Sequence, residues 1–537
     1  MRHWWAIEND GSPQPNVVGS GSFRVLSLQF WAMAVATGVG AGLGGGLLMR
    51  LLRAVQHAAW PYRAGDNFLA AVQHASPTRI LLVVTGAGCV AGISRFILRQ
   101  GILHQGSGHG GELAQKIWFS NGRLSPFPTV LRAVTSIVIV GLGASLGREA
   151  APKQIGALAA SVLAQWASLP NSQRRLLSAC GAGAGIAAVY NVPFGGAIFA
   201  LEVLLGTISL PLVPPALATA VVATAVSWLL LPNEPTYQIP FYPVSSSQMV
   251  WSAAAGPIIG MVAVFYVRLI SMADAMKSGR LFSLVAPLTV FAALGAAAIA
   301  FPHLLGNGKD VVQMMFAGQP DLALVLAILV LKPLATAACL ASGAPGGLFT
   351  PTFTLGALLG GALGQMWLFG WPGAPPGSFA IIGACALLAA ATQGPVSAVV
   401  LTLELTRRLD TLMVPVILAT AGAVGVARMI ESRSLYSARI HLGRAAVARS
   451  PGTVSTAAKL SELQRSLLDT GRRSVSVVDE SGTPVGEVTR DCAVRPSPNA
   501  LPLETATAAD FVTAGETGTM PIPLPARSRR TAPRKSR

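Results

Sequence analysis

Charge is what this chain has least of. Asp, Glu, Lys and Arg make up 11% of its 537 residues, against about a quarter in an average soluble domain, and that scarcity excludes a protein whose whole surface faces water. Acidic residues are the rarer sign, 22 against 39 Lys and Arg, for a formal net charge of +17. Cysteine and histidine are sparse too, at 5 and 7. Cys89, Cys180, Cys339 and Cys385 lie in apolar segments and Cys492 in the polar tail. Their unpaired spacing excludes a disulfide framework or a cysteine-built metal site and leaves them as small core residues. The basic closing run ARSRRTAPRKSR holds no aromatic residue, so it lacks the stacking groups of a nucleic-acid-binding tail and reads as a solvated segment near anionic lipid. Residues 1–27 show no basic region followed by a short apolar core and a small-residue cleavage site, so no cleavable signal peptide is expected.

Apolar sequence fills the space that charge leaves. Hydrophobic residues are 52%, glycines number 57 and mean hydropathy is +0.56. Stretches of membrane-crossing length recur at Phe30–Leu52, Ile80–Ile97, Leu131–Leu146, Leu212–Leu231, Met249–Ile270, Leu281–Ala300 and Leu322–Leu340. An all-α, multi-pass protein of the cell membrane follows. Other apolar segments are short and broken by Gly or Pro, which membranes tolerate where the freed backbone is buried in protein or lines a cavity, as in channels and transporters. Arg433, Arg439, Arg444, Arg449 and the closing run put the C-terminus in the cytoplasm by the positive-inside rule, and the segment 1–27 is expected there as well.

Three Gly-rich breaks carry the polar chemistry. HQGSGHGGEL, from His104 to Leu113, surrounds Ser107 with glycines that prevent helix and expose amides beside one hydroxyl. His104, His109 and Glu112 are ligand-type side chains of undefined geometry there, and the plain reading is a polar turn. GLGASLGREAAPKQIGAL, from Gly141 to Leu158, sets Arg148 and Glu149 between an apolar run and a helix opening at Pro152. Charge at membrane depth marks a functional site by default; the structural alternative is an i,i+4 pair of Glu149 with Lys153 on a helix surface. Gly143-Ala-Ser145-Leu-Gly147 also matches the G-x-S-x-G nucleophile elbow, but an apolar helix offers neither its strand-turn-helix setting nor its Asp and His partners, which argues against an intramembrane enzyme using Ser145 or Ser107. The third break is Gly347-Leu348-Phe349-Thr350-Pro351.

The breaks belong to an internal repeat. Gly147 precedes Gly156-Ala157-Leu158 as Gly347 precedes Gly356-Ala357-Leu358, and Asn191-Val-Pro193 precedes Leu201-Glu202 as Gln393-Gly-Pro395 precedes Leu403-Glu404. Two halves are expected, about 28–232 and 249–442, with a site where they meet. Gly-rich breaks leading into helices aim free N–H groups and the positive end of a helix dipole at one point, holding an anion without a full counter-charge. Conduction needs that restraint, because a buried lysine would hold the ion too tightly to release it.

At these residues the chain resembles the CLC family of chloride channels and transporters. GREAAPKQIG is similar to the family's G-(K/R)-E-G-P helix start, GGLFTP to its G-x-F-x-P motif, GSGHGG to its G-S-G-I-P loop, and SLYSARI to the tyrosine segment closing its membrane domain; AGIAAVYNVPFGGAIFALE resembles the stretch after the gating motif. The resemblance runs over residues 30 to 442. It implies a CLC-type fold of many tilted and partial helices in two inverted repeats, and a homodimer with one pore per subunit. Chloride would be held at a central position by the hydroxyls of Ser107 and Tyr436 with the amides of Leu348 and Phe349 completing that site, and the helix start at Arg148, Ala150 and Ala151 would bind anion as well. Glu149 would be the gate, its carboxylate competing with the anion for the outer position and leaving when protonated. No cofactor is implied.

Some positions depart from the family's pattern. Ala150-Ala151 stand where the family has Gly-Pro, and His109-Gly110 where it has Ile-Pro. Val203 stands where proton-coupled members have a glutamate on the intracellular proton route, while Glu202 matches a glutamate of both classes. A chloride channel is therefore expected, the alternative being a proton-coupled antiporter whose protons avoid position 203. Beyond the transport domain 28–442, residues 443–495 resemble one CBS-type unit, with a helix at Ala457–Leu468 and strands at Ser474–Val478 and Thr483–Val488. Its end, Thr489-Arg490-Asp491, falls one residue short of the ribose-binding T-x-x-D, so packing or regulation is expected before nucleotide binding. Residues 496–537 are basic, aperiodic and expected to be disordered. Serine at position 107 resembles chloride-preferring members, whereas proline there accompanies nitrate preference; anion competition should favour chloride over nitrate, and Ser107→Pro should raise relative nitrate transport. Nitrate preference in the unmutated protein would contradict this.

Overall fold

At membrane depth a chain must pair its own backbone, and this one does so by helix. The computed structural model describes residues 26–105, 113–276, 282–318, 320–408, 410–430, 433–438, 453–455, 474–478 and 484–489. The chain divides into a unit of Ser12–Ile440 and a second containing His441–Arg537. In the first unit run α1 (Leu28–Ala59), α2 (Phe68–Gln73), α3 (Pro77–Gln105), α4 (Leu113–Phe119), α5 (Pro126–Gly141), α6 (Ala150–Trp166), α7 (Asn171–Tyr190), α8 (Pro193–Phe199) with a π-helical turn Ala200–Leu205, and α9 (Val213–Ser227). Then come α10 (Ser246–Ala275), α11 (Phe282–Ala300), α12 (Lys309–Ala317), α13 (Leu322–Ala341), α14 (Phe349–Gly370), α15 (Pro376–Thr392), α16 (Pro395–Thr406) and α17 (Met413–Met429).

Among the described residues, Leu28–Ala59, Pro77–Leu98, Leu210–Ser227, Ser246–Ala275, Leu322–Ala341 and Phe349–Gly370 are long and apolar enough to cross a membrane. Leu82, Trp166, Phe265 and Phe369 project from the surface, as lipid-facing side chains do. The expected run Leu131–Leu146 does not stay helical. It leaves the helix at Gly141, and Gly143 then adopts φ 109°, a conformation that favours glycine. In the second unit β1 (Thr453–Ser455) pairs parallel with β2 (Ser474–Val478), which pairs antiparallel with β3 (Pro484–Thr489). The last two match the strands expected there, β3 within a residue at each end. The helix expected at 457–468 lies outside the described residues.

The internal repeat reappears as matched packing. α6 lies on α7 so closely that a side chain at Gly156 would collide with the Gly181 carbonyl oxygen, and α14 meets α15 in the same way, a methyl group at Gly356 standing 2.6 Å from the Gly383 carbonyl oxygen. α7 ends on Asn191 and α15 on Gln393, both left-handed at φ 58° and 57°, and each is followed two residues later by the proline that opens the next helix. The two halves then exchange carboxylates. Glu202 accepts from the amides of Val396 (3.1 Å) and Ser397 (2.6 Å) at the start of α16, and Glu404 accepts from Phe194 (3.1 Å) and Gly195 (2.6 Å) at the start of α8. Each acid neutralises the positive helix end of the other half.

A buried lysine fixes the connection between α11 and α12. Lys332, on α13 and 1% exposed, shares the N–H donors of its ammonium among the carbonyls of His303 (3.1 Å), Leu304 (2.9 Å), Leu305 (3.2 Å) and Gly306 (3.0 Å). Carbonyl oxygens replace the water shell that burial strips from the ammonium. The same connection reaches the Gly141–Gly147 break, since the Gly306 amide donates to the Gly143 carbonyl at 3.1 Å. Lys332→Met should lower stability by about 3 kcal/mol, the scale of a charged hydrogen bond removed with its acceptors left buried. Thermal unfolding in detergent reads this, and an unchanged midpoint would contradict it.

Candidate functional site: a carboxylate between two helix starts

Two irregular stretches approach each other at the centre of the first unit, and each begins where a helix stops. α5 gives way after Gly141, whose carbonyl accepts from the Trp60 indole at 3.0 Å, while the Leu142 amide still bonds back to the Val138 carbonyl at 2.9 Å. α13 gives way after Ala341 in the same manner. The Ser342 amide bonds back to the Ala338 carbonyl at 3.0 Å, and the Ser342 carbonyl accepts from Arg95 Nη1 at 2.6 Å. The two stretches then meet as a short antiparallel bridge: the Gly147 amide donates to the Gly347 carbonyl at 2.7 Å and the Gly347 amide to the Gly147 carbonyl at 2.8 Å. Immediately beyond the bridge α6 and α14 begin. Because Pro152 carries no N–H, Ala150 and Ala151 supply the amides of the first turn of α6 that have no partner within the helix.

Glu149 fills the space between these helix starts and is fully buried. Its Oε1 accepts from the Phe349 amide at 2.6 Å; its Oε2 accepts from Thr350 Oγ1 at 3.2 Å and Tyr190 Oη at 3.4 Å, and those two hydroxyls lie 2.7 Å apart. The bridge glycines leave room for the carboxylate. A methyl group at Gly147 would collide with both of its oxygens, and one at Gly347 with Oε1. The Phe349 ring, 5.9 Å from Tyr190 and 6.3 Å from Phe353, walls the pocket with apolar surface, where charge and dipole interact more strongly than in water.

The other residues singled out from sequence distribute around this centre. Arg148 places its guanidinium 5.0 Å from the Tyr190 ring centroid. Ala150, Ala151, Leu348 and Phe349 are buried at the two helix starts. Tyr436 is buried, with its ring 6.1 Å from that of Phe199. Ser107 lies outside the described residues, as do His109 and Glu112. The surface pair of Glu149 with Lys153 does not form: the carboxylate turns to Phe349, while Lys153 Nζ turns to Tyr436 Oη at 3.5 Å. Ser145 faces Thr336 Oγ1 at 3.4 Å. Tyr190 and Thr350 are not among the residues the sequence singles out, although both sit inside recognised stretches, one just before Asn191 and the other in GGLFTP. A hydroxyl beside a motif residue is the available signal.

A family model described as "Voltage gated chloride channel" matches residues 86–428, more than half of the chain. The chain belongs to this CLC family. It is 32% identical over 401 residues to a putative chloride channel protein ClcB-like of Ralstonia nicotianae, covering 73% of this chain and 92% of that protein. It is 28% identical over 390 residues to the voltage-gated ClC-type chloride channel ClcB of Citrobacter koseri, covering 70% and 91%. Among solved structures, a slow cyanobacterial Cl-/H+ antiporter superposes with a TM-score of 0.67 at 20% identity over 79% of this chain and all of that one (100%). A CLC-type fluoride/proton antiporter gives 0.60 at 19% identity over 76% and 97%. These likenesses carry the fold: an all-α, multi-pass CLC membrane protein, and with the family an ion transporter.

The hydroxyl pair around the CLC carboxylate makes a specific demand. Tyr190→Phe with Thr350→Val removes two donors from Glu149, each hydrogen bond to a charged group being worth about 1.5–3 kcal/mol. On the sequence-based expectation that Glu149 gates chloride, efflux from proteoliposomes at neutral pH should rise roughly tenfold or more as the carboxylate is held less firmly. Unchanged efflux in a folded double variant would contradict this.

Proposed function

We propose that the protein is a chloride-selective CLC pathway of the channel type, gated by Glu149. The observation that carries the reading is the 2.6 Å hydrogen bond from the Phe349 amide to the Glu149 carboxylate. An amide at a helix start, aimed by a dipole and flanked by a second helix start, suits any small anion, and the carboxylate stands in the place such an ion would take. When Glu149 is protonated and swings away, chloride takes over the amides of Phe349, Ala150 and Ala151. It then passes to an inner position between Ser107 and Tyr436, with Leu348 completing the contacts. The relatives named as chloride channels support chloride as the ion.

Two features support a channel over a proton-coupled exchanger. Val203 lies in the π-helical turn, is 7% exposed, and can neither carry a proton nor order water by hydrogen bonding. Glu202 beside it is committed to the amides of Val396 and Ser397. We further propose a homodimer with one pathway per subunit, both termini in the cytoplasm, and a regulatory or packing role for residues 443–495.

Reconstitution tests the reading. A chloride gradient across proteoliposomes should drive chloride flux without uphill proton movement, and Glu149→Gln should keep the flux while removing its response to external pH. Uphill proton pumping abolished by Glu149→Gln would refute the channel assignment and retain Glu149 as the gate. Absence of chloride flux from both proteins would refute chloride transport itself.

A further inference from the structure

Away from the gate, an open cavity of about 510 Å³ has Arg123, Ser125, Phe127, Ser161 and Gln165 in its lining. It lies where the chain enters the membrane. Gln29, at the start of the membrane-crossing α1, donates from Nε2 to the Ala167 carbonyl at 3.0 Å, which puts the end of α6 level with that entry. Trp166 there is 78% exposed and Phe127, in the first turn of α5, 63%. Exposed aromatic rings beside basic residues are what helix ends carry at a membrane–water boundary.

The turn that carries Arg123 is held from both sides. Asn121 and Gly122 are left-handed at φ 48° and 70°; the Gly122 carbonyl accepts from Ser178 Oγ on α7 at 3.0 Å, and the Leu124 amide donates to Ser161 Oγ on α6 at 3.0 Å. Arg123 is thereby kept at the cavity and beside α7, close enough to Arg174 for the two positive charges to repel. Arg174 is buried and donates to neutral acceptors, Asn171 Oδ1 at 3.1 Å and the Leu169 carbonyl at 3.4 Å. Among the described residues neither guanidinium forms an ion pair. From 113 to 201 the sequence has a single acid, Glu149, which is turned to Phe349. Two like charges fixed near each other without a counter-charge attract an anion. Beyond the cavity the surface is apolar: Phe127, Val130 and Val134 project from one face of α5 at helical spacing, and Val162 and Trp166 from α6, all of them exposed. α5 and α6 pack on each other, so these stripes lead from the cavity along the lipid-facing surface.

We propose that this cavity binds the headgroup of an anionic phospholipid, with the phosphate at Arg123 and the acyl chains along the stripes of α5 and α6. Arginine's planar fork suits phosphate oxygens, and Ser125 and Gln165 add a hydroxyl and an amide donor. A free phosphate would meet the same arginine but gain nothing from the stripes. The chain's own closing run, ARSRRTAPRKSR, is basic and would be repelled.

Phosphatidylglycerol is the probe, compared with zwitterionic phosphatidylcholine of the same chains on delipidated full-length protein, the first lipid bound being counted by native mass spectrometry. Phosphatidylglycerol should bind roughly five- to tenfold more tightly, the effect of about one basic residue at a membrane surface. Arg123→Gln should reduce that preference to under about twofold, whereas Arg123→Lys should keep most of it, since lysine still binds phosphate as a point charge. Phosphatidylglycerol with brominated chains should also quench Trp166, read as the quenching lost in Trp166→Phe, and Arg123→Gln should lose the same share. Equal binding of the two lipids by the unmutated protein, or Trp166 quenching untouched by Arg123→Gln, would overturn the proposal, as would a lysine variant that loses as much as the glutamine one. Displacement of the lipid by an equal concentration of glycerol phosphate would overturn it too, by marking a site for free phosphate.

Discussion

Everything at the centre of this protein depends on two backbone hydrogen bonds, exchanged between Gly147 and Gly347. Helices that start inside a membrane leave amides unpaired, and the chain leading into them has backbone groups to satisfy as well. The Gly147–Gly347 bridge lets each approach satisfy the other. The amides just beyond it stay available for an anionic group, and Glu149 takes the Phe349 amide. Because both bridge residues lack side chains, the carboxylate fits where any larger residue would collide with it.

The same reciprocity holds farther out. Glu202 and Glu404 each close the helix start of the opposite half, so neither half is complete without its counterpart. Lys332 secures the 303–306 carbonyls, and that segment in turn holds Gly143. Buried charge here goes into fixing backbone: each of these side chains satisfies main-chain groups that burial takes out of water.

Much of this is legible in the sequence because it is written in local pattern. Apolar length announces the long helices, and the repeated Gly147/Gly347 and Asn191/Gln393 blocks announce the halves. Their equal spacing reflects matching turns, with left-handed caps at 191 and 393 followed by helix-opening prolines. Partners distant in the chain are not legible. That Glu202 serves Val396, or that Tyr190 reaches Glu149, depends on how helices pack. Lys153 is the plainest miss. At i+4 from Glu149 it looks like a surface ion-pair partner, but burial of that face of α6 turns it toward Tyr436.

On this account the Glu149 carboxylate occupies the outer place of the transported anion. Crystals of Glu149→Gln grown in bromide measure this directly, since bromide scatters anomalously and mimics chloride. A bromide peak is expected within hydrogen-bonding distance of the Phe349 amide, absent from the unmutated protein at neutral pH. A glutamine still seated on that amide with no bromide beside it, or an equal peak in both proteins, would contradict it.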